Sequence, residues 1–191
     1  NKILKELNLK KEGYFLVSSH REENINDDTN FIKFISILNS LANQYRKPII
    51  VSTHPRTQNR INTENIKFDP LIQLHKPFGF NDYVSLQKNS LLVLSDSGTI
   101  NEESSILNFP ALNLRESHER PEAMEETSVV MTGLSIDRIF QSIDFLQAQP
   151  RGEERLLKLV KDYDINNVSD KVLRILHSYT DYINRVVWKK Y

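Results

Sequence analysis

Four short polar clusters carry most of the side chains in this 191-residue chain that could do chemistry. They are His20-Arg21-Glu22-Glu23-Asn24, His54-Pro55-Arg56, Asp96 through Glu103, and Arg115 through Glu122. The third has the clearest mechanism. Asp96-Ser97-Gly98-Thr99 is a turn of small residues between an apolar run and a helix expected to begin near Ile100. Gly98 lets the backbone approach a ligand closely, and the free N–H groups and positive dipole end of the helix favour an anion. Thr99-Ile100-Asn101-Glu102 has the S/T-x-x-E form of a capping box, so Glu102 is expected to cap the helix and Glu103 to reach a ligand hydroxyl. A well-capped helix that binds nothing has the same spacing. There is no Walker-type lysine and no G-x-G-x-x-G, so P-loop hydrolysis and ordinary dinucleotide binding lose ground.

Arg21 beside His20 suits an anion site, because a guanidinium pairs bidentately with phosphate. His20 and His54 could ligate a metal in principle, but no suitably spaced carboxylate accompanies them, and no metal is expected. Arg120 precedes Pro121-Glu122, a plausible helix start, and is a candidate second cation.

The elements that must position these clusters follow from periodicity. Apolar runs of strand length, Tyr14–Ser18, Ile49–Ser52, Leu71–Leu74, Leu91–Leu94, Ala111–Leu114 and Val129–Met131, alternate with helical segments. Phe31, Phe34, Ile35, Leu38, Leu41, Ala42 and Tyr45 fall on one face of a 3.6-residue period. Phe80–Lys88, Ile100–Leu107, Pro121–Glu126 and Ser135–Leu146 are the other expected helices of this part. Six strands with such connections predict a doubly wound, parallel α/β sheet covered on both faces, Rossmann-like in kind. All four clusters then follow strands and converge on the carboxyl edge of the sheet, where ligands bind. Beyond Pro150 only helices are expected, over Arg155–Val160 and from Val168 to about Trp188, giving domains of 1–150 and 151–191. The last helix carries a long apolar stripe that must lie on its own sheet layer or on a domain absent from this chain.

Composition bounds the function. The 25 Lys+Arg balance 25 Asp+Glu, which argues against a general hold on nucleic acid or an acidic membrane. Cysteine is absent, so there is no disulfide, thiolate site or cysteine nucleophile. No apolar run approaches the ~20 residues needed to span a bilayer, and the start is not a signal peptide. A soluble, cytoplasmic domain is expected. The chain opens on Asn1 into Ile3, Leu4 and Leu7, which suggests a fragment cut in a linker helix.

At the four clusters the sequence resembles the non-hydrolysing UDP-N-acetylglucosamine 2-epimerases. That family carries, in order, H-R-x-E-N after a strand, a strand ending in His, D-S-G-G/T-x-x-E-E, and R-x-x-x-E-R-P-E. The resemblance covers most of residues 14–147 and implies the C-terminal half of a two-domain GT-B enzyme, its active site in the cleft between halves. It implies that Ser97, Gly98 and Thr99 hold the diphosphate of UDP, that Glu103 accepts from the ribose hydroxyls, and that Arg120 adds positive charge. The Phe78–Tyr83 loop would border the uracil, with Tyr83 where Phe is usual. His20 matches an active-site histidine near the leaving diphosphate. Arg21 and His54 match contacts to a second, regulatory UDP-sugar.

The implied reaction removes the C2 proton of a UDP-2-acetamido sugar while UDP leaves C1, then adds UDP back with C2 inverted. No cofactor is implied. The proton-transfer carboxylates belong to the absent N-terminal domain, on which the last helix would dock, so this chain alone is expected to be inactive. A homodimer is implied as well. Departures are Glu22 for the family's second Arg, Thr99 for its second Gly, Phe78 for a frequent Gln, and Arg115-Glu116-Ser117-His118-Glu119-Arg120 for R-D-T-T-E-R. They look most like the branch that forms UDP-N-acetyl-L-fucosamine for capsule or O-antigen polysaccharide. The alternatives are UDP-ManNAc formation from UDP-N-acetylglucosamine, a GT-B glycosyltransferase, and a UDP-sugar binding module without turnover.

Overall fold

A computed structural model of the chain describes residues 2–19 and 21–190, with only the backbone of Glu22 and Glu23. Residues Asn1–Val160 form one compact unit and Lys161–Tyr191 another. The first is built on six parallel strands: β1 (Phe15–Ser19), β2 (Ile49–Thr53), β3 (Ile72–His75), β4 (Leu92–Ser95), β5 (Ala111–Asn113) and β6 (Val130–Met131). They lie in the order β3-β2-β1-β4-β5-β6, the expected doubly wound arrangement. The strand order reverses between β1 and β4, which places a crevice at their carboxyl ends.

Each central strand is apolar on both sides because both sides are covered. Phe15, Val17, Ile49, Val51, Leu92 and Leu94 face one layer, with Phe34, Leu38 and Leu41 of α3 (Asp28–Tyr45) and Ile139 and Ile143 of α8 (Ile136–Leu146). Leu16, Ile50 and Val93 face the other, with Ile3 and Leu4 of α1 (Lys2–Glu6), Leu86 of α5 (Phe80–Asn89) and Ile100 of α6 (Ile100–Leu107). The alternation of one strand residue to each layer is the pleat itself.

Between β1 and α3 a short helix, α2 (Glu22–Ile25), occupies part of the polar stretch. Asp27 then caps α3, its carboxylate accepting from the Asn30 N–H at 2.8 Å. The connection from β2 to β3 contains α4 (Pro55–Thr63), which periodicity alone does not announce, since Ile61 is its single buried aliphatic residue. Arg60 ties α4 down. Its guanidinium meets Asp28 at 2.5 Å and Glu64 at 2.6 Å, donates to the Ile25 carbonyl, and lies 4.1 Å from the centre of the Phe31 ring. The remaining helix of this unit, α7, is shorter than expected, Pro121–Met124.

Residues 155–160 are not helical, and the compact unit continues past Pro150 to Val160. The reason is where this segment spends its hydrogen bonds. Arg151 donates to the Leu91 and Lys88 carbonyls, and Arg155 to the Ser105 and Ile106 carbonyls, both at 2.7 Å. The Val160 N–H reaches Ser105 Oγ. Asn108, left-handed at φ 51° just past α6, donates to the carbonyls of Gly152 and Glu154. The segment is a strap over the carboxyl end of α6, supplying donors to carbonyls that a helix end leaves open. The second unit holds α9 (Val168–Tyr182), continued by a π-helical turn at Ile183–Val187. Within it Val172, Ile175, Leu176, Tyr179 and Trp188 are exposed. Among the described residues no helix is long and apolar enough to cross a membrane.

Candidate functional site

The crevice between β1 and β4 is organised by one buried carboxylate. Asp96, fully buried, accepts through Oδ2 from Ser19 Oγ at 2.7 Å, the Arg21 N–H at 3.1 Å and Asn24 Nδ2 at 3.1 Å. The turn after β4 thereby fixes the turn after β1, although some 75 residues separate them. Sequence reasoning placed Asp96 in the cluster but gave it no role.

The small-residue turn behaves only partly as expected. Ser97 donates its N–H to Ser95 Oγ at 3.1 Å, and its hydroxyl lies 2.9 Å from Thr99 Oγ1 and accepts from the Thr99 N–H at 3.3 Å. The capping box does not form. Thr99 has helical dihedrals and no side-chain cap bond, and Glu102 instead accepts from Arg120 Nε at 2.7 Å. Opposite charge from the next strand's loop outcompetes a neutral amide. A β-carbon at Gly98 would sit 2.7 Å from Glu119 Oε2, so any larger residue there would displace the end of that side chain. What approaches the glycine is a side chain of the same chain.

Glu103 points elsewhere on the same helix. Its Oε2 accepts from Nε2 of Gln87, a fully buried residue of α5, at 2.5 Å. Burial pushes the Glu103 carboxyl up, opposed by the bonds from Gln87 and Thr99. Gln87 was not legible as a site residue, because a polar residue on a helix ordinarily faces water. A raised native value means that the ionised form is disfavoured in the folded chain. Glu103 therefore favours folding fully below its unfolded pKa, and this contribution is lost as pH rises through the raised native value. Glu103→Gln is thus expected to raise the melting temperature by a few degrees at pH 7 and to leave it unchanged near pH 3. Melts of both proteins at the two pH values check this.

Tyr83 and Phe78 flank that carboxylate's side of the sheet. Only Phe78 and Gly79 are loop; Phe80 already begins α5 and is exposed, and Tyr83 sits in the helix's first turn. Phe78 lies against the His75 ring at 5.3 Å. Tyr83 hydrogen-bonds Ser18, and burial pushes its phenol up to about 12, with Glu103 and Asp96 nearby adding to the shift. It stays a neutral donor over the physiological range.

Across the crevice, Glu119 joins two arginines. Its Oε2 lies 2.6 Å from Arg21 Nη2 and 2.5 Å from Arg115 Nη1. The guanidinium of Arg115, with Arg21 beside it, holds the Glu119 carboxyl down at about 2. Three strand ends therefore meet: Arg21, the Ser97–Thr99 turn, and the segment from Arg115 to Arg120. Neither Arg115 nor Glu119 was singled out from the sequence. His54 stands apart in role: it caps α4, Nδ1 accepting from the Arg56 N–H at 3.3 Å, with Pro55 in the first turn. His20 lies outside the described residues.

A parallel sheet whose carboxyl edge presents a small-residue turn at a helix N-terminus, with guanidinium groups and a carboxylate acceptor around it, defines a domain able to seat an anionic, hydroxyl-bearing ligand. Comparison with known proteins narrows the class. Residues 1–177 match the family described as UDP-N-acetylglucosamine 2-epimerase, and the chain belongs to that family. A UDP-N-acetylglucosamine 2-epimerase of Methanococcus maripaludis is 34% identical over 139 residues, 71% of this chain and 38% of the relative. A solved UDP-N-acetylglucosamine 2-epimerase from Rickettsia bellii superposes with TM-score 0.84 at 41% identity, covering all of this chain and 51% of that one. The Methanocaldococcus jannaschii enzyme, solved with UDP-GlcNAc and UDP, gives 0.79 at 26% identity over 93% of this chain and 49% of that one. The chain thus spans between 38% and 51% of the length of these relatives.

Proposed function

We propose that this chain is the UDP-binding half of a GT-B-type nucleotide-sugar 2-epimerase. The observation that carries this reading is the Ser97-Gly98-Thr99 turn at the start of α6, with the guanidinium of Arg120 against it and Glu103 within the same helix turn. In the proposal the turn holds the diphosphate, Arg120 adds charge, Glu103 accepts from the ribose, and Phe78 and Tyr83 border the uracil. His20 serves at the leaving diphosphate, and Arg21 and His54 contact a second, regulatory UDP-sugar.

The chemistry breaks the C2–H bond of a UDP-2-acetamido sugar and the C1–O bond to UDP, giving a glycal; UDP then re-forms the C1–O bond as a proton enters the opposite face of C2. This half supplies donors that stabilise the departing diphosphate, a charge-stabilising role. The proton-transfer carboxylates come from an N-terminal domain, whose surface also covers the exposed stripe of α9. This chain by itself is inactive, and the whole enzyme works as a cytoplasmic homodimer.

The product proposed is UDP-N-acetyl-L-fucosamine for surface polysaccharide, on the strength of Glu22, Thr99 and the Arg115–Arg120 segment. A second reading, UDP-ManNAc formation from UDP-N-acetylglucosamine, is favoured by the names of the relatives above.

Full-length protein incubated in D2O with UDP-2-acetamido-2,6-dideoxy-L-talose or UDP-N-acetylglucosamine, without an acceptor, tests both. Deuterium at C2 of an inverted UDP-sugar is the expected result, and the productive substrate chooses between the readings. Free sugar and UDP would indicate hydrolysis, and no turnover would leave a binding module or a transferase.

A further inference from the structure

Glu119 has no place in the functional reading above, yet it occupies the most basic point of the crevice. One of its oxygens faces two guanidinium groups from two different strand ends, Arg21 at 2.6 Å and Arg115 at 2.5 Å. The same oxygen lies against Gly98, where a β-carbon would come within 2.7 Å. The Arg115 side chain is only 4% exposed, so its charge was taken out of water and is met from within the crevice. An oxygen held by two guanidinium groups over a glycine at a helix N-terminus has the surroundings of a ligand phosphate oxygen.

We propose that the Glu119 carboxylate is an internal anion seated between Arg21 and Arg115 in a phosphate subsite, and that a ligand diphosphate binds by displacing it. The proposal rests on the reading of the crevice as a nucleotide-diphosphate site, and in it Arg21 serves that diphosphate rather than the regulatory UDP-sugar. Burying Arg115 without an anion would be costly, and Glu119 removes that cost while the site has no ligand. Its side chain is about one-third exposed, so it can turn outward when an anion of higher charge arrives. The carboxyl is held ionised down to about 2, so acid does not empty the seat at any ordinary pH; a competing anion does. The arrangement sets affinity. Part of the diphosphate's attraction to the arginines is spent on breaking two existing ion pairs, which keeps binding readily reversible.

The test titrates the parent and Glu119→Gln with UDP, inorganic pyrophosphate and uridine by calorimetry. Gln is isosteric but neutral, and its hold on the two arginines is weaker. The expected result is UDP and pyrophosphate binding tightened about tenfold, with uridine unchanged. Glu119→Asp, which keeps the charge on a shorter arm, should fall between. Unchanged or weaker pyrophosphate binding by Glu119→Gln, with melts showing both proteins folded, would overturn the displacement and leave Glu119 as an orienting partner. If pyrophosphate tightens while neither protein binds uridine or favours UDP over pyrophosphate, the uridine-nucleotide reading fails and the internal anion stands. If no anion binds either protein, both fall.

Discussion

Ser97→Asp is expected to weaken UDP binding by about a hundredfold or more, equivalent to ~2.7 kcal/mol. The substitution is chosen to leave the turn intact. The Ser97 oxygen accepts from the Thr99 N–H and lies against the Thr99 hydroxyl, and an aspartate oxygen can take over both contacts. What changes is the charge. A fixed carboxylate at the start of α6 would satisfy the helix dipole itself and repel an incoming diphosphate. Ser97→Ala, which removes the hydroxyl without adding charge, should cost tenfold or less. Calorimetric titration of the three folded proteins decides it. Retention of near-parental affinity by the aspartate variant would move the diphosphate away from this turn.

Asp96→Ala is expected to destabilise the chain by about 3–5 kcal/mol. One fully buried carboxylate oxygen serves three donors from the β1–α2 segment. Removing it leaves the Ser19 hydroxyl, the Arg21 amide and the Asn24 side chain to find other partners, each unsatisfied group costing on the order of 1–3 kcal/mol. Because Arg21 is placed by this contact, the folded fraction should also bind anions more weakly. Urea titration gives the stability change; a loss below about 1 kcal/mol would mean that the donors are served equally well by other groups or water.

Both predictions concern residues that the sequence displays openly, and their difference shows what pattern can and cannot reveal. The strands were legible because parallel strands covered on both faces must be continuous apolar runs, and α6 was placed residue for residue. The meeting of the clusters after β1, β4 and β5 followed from topology alone; the His54 cluster caps α4 instead. Helix α4 escaped because it is held by Arg60 rather than by an apolar stripe; His54-Pro55, a capping residue before a proline, was the signal that could have found it. The segment 155–160 looked helical because Leu156, Leu157 and Val160 fall at helical spacing. Arg155 and Val160 instead bond to the end of α6, a long-range commitment that no local period records. The capping box failed for a similar reason: Thr99 and Glu102 had the right spacing, but the partner that claimed Glu102 was Arg120, from the loop after β5. Asp96, Gln87 and Glu119 carry ordinary surface-type side chains; only tertiary packing makes Asp96 and Gln87 interior groups and sets Glu119, still partly exposed, between two arginines.

The strand order also bears on how the molecule comes into being. β1 pairs with β4 in the register Phe15 with Leu92, so the ladder beside the crevice joins segments that leave the ribosome far apart in time. Parallel pairing of this kind pays its loop-closure entropy before any contact rewards it, which makes folding slow. A nascent chain that has reached Thr53 can pair β1 with β2 but still has one flank of β1 open, an unsatisfied ladder edge of the sort that invites association with other chains. The turn after β1 is fixed only when Asp96 arrives to collect the donors waiting there, and the Arg115–Arg120 segment joins it later, behind β5. Ordering of the turn after β1 and closure of that strand's open flank are therefore the same event.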